Sequence, residues 1–229
     1  MNKSLTDGHI ILKLMKESLK DNNLSKRTAL KELQQIEGGD PFKILIATIL
    51  SARSRDENTR RVVKTLFAKF RDVEEFSRAD LGDIRRLIHS IGFYNIKGLR
   101  IKQVVRALSD RYNGMVPSNM QDLLTLPGVG RKTANCVLVY AFKKPAIPVD
   151  VHVHRVSNRL GIVKTNKPEE TELKLYNIFD KKSWVEVNDT FVSYGQNICL
   201  PIKPRCAICK LKKICKFYKY SNGSYLSSS

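Results

Sequence analysis

Three features of the sequence predict an all-α protein. Apolar residues recur at helical spacing through nearly all of the 229 residues. Asp, Ser, Pro and Gly stand where those segments begin and end. No stretch alternates apolar and polar residues strongly enough to read as a strand, and no long internal repeat is visible.

The elements follow in order. Residues 8–20 carry an apolar stripe at Ile11, Leu12, Met15 and Leu19, so a helix is expected there. A second is expected over 25–36. Asp40-Pro41 is an N-cap followed by Pro at the first helical position. The helix behind it, Phe42 to about Ala52, is nearly all apolar and should be the central buried one. Ser51 to Asp56 is a polar, basic break. Helix 56–70 turns Val62, Val63, Leu66, Phe67 and Phe70 inward. Helix 80–90 is expected to end at Gly92 as its C′ residue. Beyond Phe93-Tyr94-Asn95, a helix over about 97–112 stops near Gly114. Ser118 and Gln121 form a capping-box pattern for a short helix over 119–125. Pro127-Gly128-Val129-Gly130 breaks the helix, and a new one runs from Arg131 to Phe142. Pro145 and Pro148 mark a loop, and Asp150 stands at the N-cap of helix 151–160, closed by Gly161. Helices 168–179 and 183–198 complete the run. Residues 219–229 are Ser-rich without apolar pattern and read as a flexible tail.

A chain of this length makes one large domain or two small ones. It buries roughly 70–75% of its unfolded surface, so stability needs no disulfides. Lys and Arg number 41 against 22 Asp and Glu, for a net charge of +19. That excess points to a polyanion: nucleic acid or an anionic membrane face. No apolar run approaches the roughly 20 residues that a membrane span needs, and the first residues contain no signal-peptide core. The expectation is an intracellular protein that faces nucleic acid and no membrane, cytoplasmic or nucleoid-associated in a prokaryote. A basic surface that serves only solubility is the competing reading.

Residues 126–134 read Leu-Pro-Gly-Val-Gly-Arg-Lys-Thr-Ala, and Pro-Val-Asp-Val-His follows at 148–152. The pattern is helix, tight Gly turn, helix. The second helix opens with free backbone N–H groups and a positive dipole end, which suits a phosphate. A plain turn between two helices explains the glycines equally well. The whole string, with Asp150 placed 18 residues after Lys132, resembles the helix-hairpin-helix DNA glycosylases, specifically the endonuclease III branch. The resemblance covers about residues 10–218.

It implies two helical lobes, one over 34–144 carrying the hairpin and one joining 8–33 to 145–218, with DNA across the groove between them. It implies a monomer acting on double-stranded DNA that contains a damaged base or an abasic site. The hairpin residues Gly128, Val129, Gly130 and Arg131 would hold a DNA phosphate. Lys132 would be the nucleophile and Asp150 its catalytic carboxylate. An amine attacks only when neutral, and free Lys has a pKa of about 10.4; the helix dipole and Arg131 favour the neutral form of Lys132. N-capping would keep Asp150 ionised, ready to stabilise positive charge on the sugar. The implied activity is that of a bifunctional glycosylase and abasic-site lyase of base excision repair, removing oxidised pyrimidines through a Lys Schiff base and β-elimination. Relatives that only remove bases carry Ser or Tyr at the Lys132 position, which disfavours a monofunctional mismatch glycosylase. A non-catalytic DNA-binding module is the remaining alternative.

Cys199, Cys206, Cys209 and Cys215 follow a C-x6-C-x2-C-x5-C spacing. Four thiolates serve zinc or a 4Fe–4S centre, and the residues alone leave both open. The spacing matches that of endonuclease III, so the resemblance implies the 4Fe–4S cluster. Lys203 and Arg205 lie between these cysteines and are read as phosphate contacts, against the alternative of a solvated charged loop. Cys136 reads as a core thiol. Arg53 and Phe93 match the family's two inserting positions, where many bacterial relatives carry Gln and Leu. Arg53 would bond the orphaned base and Phe93 would wedge by stacking; simple core packing is the alternative for Phe93. His152 and His154 read as structural, with His152 orienting Asp150.

Overall fold

The computed structural model describes residues 7–24, 32, 34, 38–54 and 56–221. Among them the regular elements are all helical. They are α1 (Gly8–Lys20), α2 (Pro41–Ser51), α3 (Asp56–Lys69), α4 (Val73–Arg78), α5 (Leu81–Leu87), α6 (Tyr94–Tyr112), α7 (Met120–Thr125), α8 (Arg131–Tyr140), α9 (Val151–Leu160), α10 (Pro168–Tyr176), α11 (Trp184–Asn197) and α12 (Lys216–Ser221). Most of the expected helix over 25–36 lies outside the described residues.

Side-chain caps set many of the boundaries. Asp7, Asp40, Asp72, Asp80 and Asn119 each accept a hydrogen bond from a first-turn amide, satisfying donors that the helix cannot pair. Asn113, in the left-handed region at φ 50°, ends α6.

Several expectations change. The capping box at Ser118 is not the start of α7: Asn119 is the cap, accepting from the Asp122 amide at 2.9 Å. Gly92 is not the C′ residue of α5, which ends at Leu87 with Ile88 as its C-cap. Helix α6 starts at Tyr94 rather than 97, because Phe93 itself occupies the cap position in the left-handed region. Helix α4 has no expected counterpart; its single buried residue, Phe76, leaves little periodicity to read. Residues 219–221, read as tail, belong to α12; the rest of that tail lies outside the described residues.

The chain divides into two compact units, Thr28–Lys144 and Met1–Arg27 with Pro145–Ser229. In the first, α2 packs against α3, α6 and α8. It buries every residue from Phe42 to Leu50 except Lys43, as its apolar sequence requires. Phe42, Phe67, Phe70 and Phe76 close one side of this core, with ring centroids 5.2–6.4 Å apart. In the second unit, α11 packs against both α1 and α9. Its core joins Ile11, Met15, Val153, Val156 and Phe191 to Leu211 and Cys215 of the cysteine loop.

Candidate active site and cysteine loop

The 127–130 turn is built for close approach. Gly128 sits at φ +73°, the left-handed region that favours glycine; a Cβ there would meet only the movable Arg100 side chain, at 2.9 Å. Gly130 is the N-cap of α8 and supplies no side-chain cap. Among the described residues, none beyond its chain neighbours stands within 4 Å of where its Cβ would be. The opening turn of α8 therefore meets open space at its positive dipole end. Lys132 lies in that turn and is half-buried. Val129 departs from the expectation of a phosphate contact. Its side chain is buried and its amide donates to the Leu126 carbonyl at 3.1 Å, closing the turn. One turn beyond Lys132, Asn135 is fully buried and neither side-chain polar atom is hydrogen bonded. Cys136 is buried in the core.

Asp150 opens α9. Its Oδ1 accepts from the amides of His152 (2.8 Å) and Val153 (2.9 Å). Its Oδ2 lies 3.0 Å from His152 Nδ1. The carboxylate is thus fixed by three bonds from its own helix, and His152 orients it. His154 Nδ1 pairs instead with Thr171 Oγ1 at 2.7 Å, a structural contact within the unit.

The other half of α9 holds the cysteine loop. Arg155 donates to the carbonyls of Gly195 (2.8 Å) and Cys199 (3.0 Å). Arg159 donates to the Leu200 and Pro201 carbonyls and points Nη1 at Cys199 Sγ, 3.7 Å away. Its guanidinium stacks on Phe217, 4.4 Å from the ring centroid. Burial lowers the Arg155 pKa, with the neighbouring Cys199 charge opposing it.

All four loop cysteines are free and line one small cavity with Tyr194, Leu160 and Phe217. The Tyr194 hydroxyl lies 2.7 Å from Cys209 Sγ, and burial pushes its pKa up. Burial likewise raises the thiol pKa of Cys206, Cys209 and Cys215. Among the described residues, no three His, Cys, Asp or Glu side chains form a group fit for a metal ion. Four sulfurs around one cavity, with Arg159 and Tyr194 as donors beside them, nevertheless fit a larger thiolate-bound cluster. Lys203 and Arg205 are exposed on the same loop, Lys203 at φ 51°.

Arg53 and Phe93 come together on the surface of the first unit. Both are exposed and both lie in the left-handed region, at φ 54° and 60°. Such backbone costs roughly 1–3 kcal/mol per residue and collects at functional positions. The Arg53 guanidinium lies 5.7 Å from the Phe93 ring centroid. Phe93 is 58% exposed, so it is not a core residue. A Cβ on Gly92 would stand 3.5 Å from the Arg53 carbonyl, which shows how closely the two turns run. Buried Lys97 behind them escapes a sequence reading, as do Arg155 and Arg159. Each is a cation in a helix, and only a tertiary partner distinguishes it from a solvated charge.

A helical core with a Gly turn leading into a Lys-bearing helix, followed by a capped Asp and a four-cysteine loop, defines a class. The chain belongs to the HhH-GPD superfamily of base excision DNA repair proteins, whose family model matches residues 46–181. Within it, the chain is similar to Endonuclease III of Thermotoga maritima, 49% identical over 180 residues that cover 79% of this chain and 84% of the relative. Endonuclease III of Bacillus subtilis is 39% identical over 178 residues, 77% of this chain and 81% of that protein. A solved structure of a trapped Endonuclease III–DNA covalent intermediate superposes with a TM-score of 0.80 at 34% identity, covering 93% of this chain and 98% of that one. A thermostable thymine-DNA glycosylase matches with the same TM-score at 25% identity, over 93% of this chain and 96% of its own.

Proposed function

We propose that this chain is a bifunctional DNA glycosylase and abasic-site lyase of base excision repair, acting on oxidised pyrimidines in duplex DNA. The observation that carries the reading is Lys132, placed in the open first turn of α8 directly behind the Gly128–Gly130 turn. A mismatch glycosylase that only removes bases has no use for an amine there.

The residues divide the work. The amides of Gly128 and Gly130 and the opening turn of α8 receive a DNA phosphate, with Arg131 alongside. Val129 serves as the buried anchor of the turn. The lone pair of Lys132 Nζ forms a bond to C1′ of the flipped nucleotide as the C1′–N glycosidic bond breaks. The base leaves with the bonding pair and takes up a proton. Asp150, its carboxylate fixed by two amides, stabilises the positive charge that develops on the sugar and accepts a proton from the attacking amine. Ring opening gives a protonated imine on Lys132. Loss of a C2′ proton then expels the 3′ phosphate and nicks the strand.

Cys199, Cys206, Cys209 and Cys215 hold a 4Fe–4S cluster in this reading. When bound, it fixes the loop that carries Lys203 and Arg205 and contributes nothing to base removal. Purified protein should be brown and contain about four irons per chain, the stoichiometry of such a cluster; zinc without iron would overturn the assignment.

The test of the reading is Lys132→Gln. It should abolish both release of thymine glycol and strand nicking while duplex affinity stays within about twofold, since the phosphate contacts remain. Nicking by the variant at wild-type rate would remove Lys132 from the mechanism.

A further inference from the structure

Lys97 lies in the first turn of α6 and is only 4% exposed. A lysine is rarely buried this far without partners. Its Nζ donates to the Leu50 carbonyl (2.9 Å), the Ala52 carbonyl (2.6 Å) and Ser54 Oγ (3.0 Å). Those acceptors are the end of α2 and the turn that carries Arg53. The last carbonyls of a helix lack intrahelical donors, and here one ammonium supplies them. The backbone N–H of Lys97 meanwhile donates to the Phe93 carbonyl at 3.0 Å, the first hydrogen bond of α6. One residue thus bonds to both turns, on either side of the Arg53–Phe93 contact.

Two left-handed residues on separate turns have no local reason to stay aligned, because each relaxes by moving its own turn. A tie between the turns keeps the guanidinium over the ring: Asn58 and Ser90 bond across the exposed side, and Lys97 is the buried link to the Arg53 turn itself. We propose that Lys97 is a positioning residue for DNA insertion: it locks the Arg53 turn to the Phe93 turn, so that the two side chains enter the duplex as one preformed stacked unit. This rests on the reading of the chain as an enzyme that acts on damaged duplex DNA. Insertion then meets little ordering cost at the moment of base flipping, which is the gain of any preorganised contact. Phosphate binding at the α8 turn and imine chemistry at Lys132 do not depend on the lock. Burial and the neighbouring Arg100 charge lower the Lys97 pKa to about 8; that weakens the charged form but leaves the ammonium, the donor to all three acceptors, the main species at pH 7.

The experiment uses a duplex with a tetrahydrofuran abasic analogue opposite 2-aminopurine, whose fluorescence rises when the base is unstacked by insertion. Lys97→Met keeps the length of the side chain and removes the donors. It should lose most of the fluorescence rise and bind this duplex about tenfold more weakly, while affinity for undamaged duplex stays within about twofold. In an Arg53→Ala, Phe93→Ala background, Lys97→Met should cost less than about twofold more, because residues that act as one unit are not additive. A tenfold loss that persists in that background marks Lys97 as a general stability residue and overturns the proposal. So does an unchanged fluorescence rise. Ser54→Ala removes one of the three acceptors without touching the buried amine, and should give a loss of about threefold with the same non-additivity; an additive loss there also counts against the lock. Insertion by a protein that forms no imine adduct would sink the lyase reading and leave the lock standing. Adduct formation with identical fluorescence in wild type and Lys97→Met would do the reverse.

Discussion

Helices α8 and α9 both begin at residues assigned to the site, and they begin in opposite ways. Helix α9 is finished from within: the Asp150 carboxylate takes two first-turn amides and leans on His152. Helix α8 begins at Gly130 with no side-chain cap and with open space where a side chain would be. Every helix start carries the same unpaired donors and positive dipole end. In α9 the chain fills that end with its own anion and so fixes the carboxylate proposed as catalytic. In α8 no side-chain cap fills the end, and a DNA phosphate is proposed to do so. The difference is one side chain, and it separates a group that is positioned from a turn proposed to bind.

Either helix start can be altered by a single substitution. The larger effect is expected at α9. Asn caps a helix as well as Asp does, so Asp150→Asn should leave thermal stability nearly unchanged. Base release should fall by roughly 10²–10⁴-fold, the range for loss of a catalytic proton-transfer group. A matched loss of stability and activity would mean that Asp150 is only a cap.

At α8 the change runs the other way. Gly130→Asp gives the helix its own anion in a position with room for it. Stability should rise by a few tenths of a kcal/mol, since Gly is already a tolerated N-cap. Duplex affinity should drop about tenfold at low salt, because the carboxylate competes with the phosphate for the same amides. Unchanged affinity by fluorescence anisotropy would show that the turn does not contact DNA.

The smallest effect belongs to the cysteine loop, where Lys203 and Arg205 are exposed. Each phosphate contact contributes about 0.9 to the slope of log affinity against log salt. Lys203→Ala and Arg205→Ala should each flatten that slope by about this amount; two unchanged slopes would leave the loop a solvated surface.

What was legible in the sequence was whatever is local. The Gly turn, Lys132, the Asp150 cap and the four cysteines sit in short strings whose spacing alone constrains their geometry, and the long apolar stripe of α2 announces its burial. The unread parts depend on partners far along the chain. Lys97 reaches acceptors more than 40 residues away, and Arg155 reaches Cys199 across 44. Nothing in the neighbouring residues separates such cations from solvated ones. The left-handed backbone of Arg53 and Phe93 was equally hidden, since neither residue type favours that region. Helix α4 failed for a different reason: with one buried residue in six it has no stripe.

The decisive measurement for the proposed role of Lys132 is borohydride trapping on two duplexes, one with a single thymine glycol and one with a matched abasic site. A covalent protein–DNA adduct is expected on both, lost on both in Lys132→Gln, because in the proposed mechanism one amine displaces the base and forms the imine. Absence of any adduct on either duplex from the wild-type protein would contradict it.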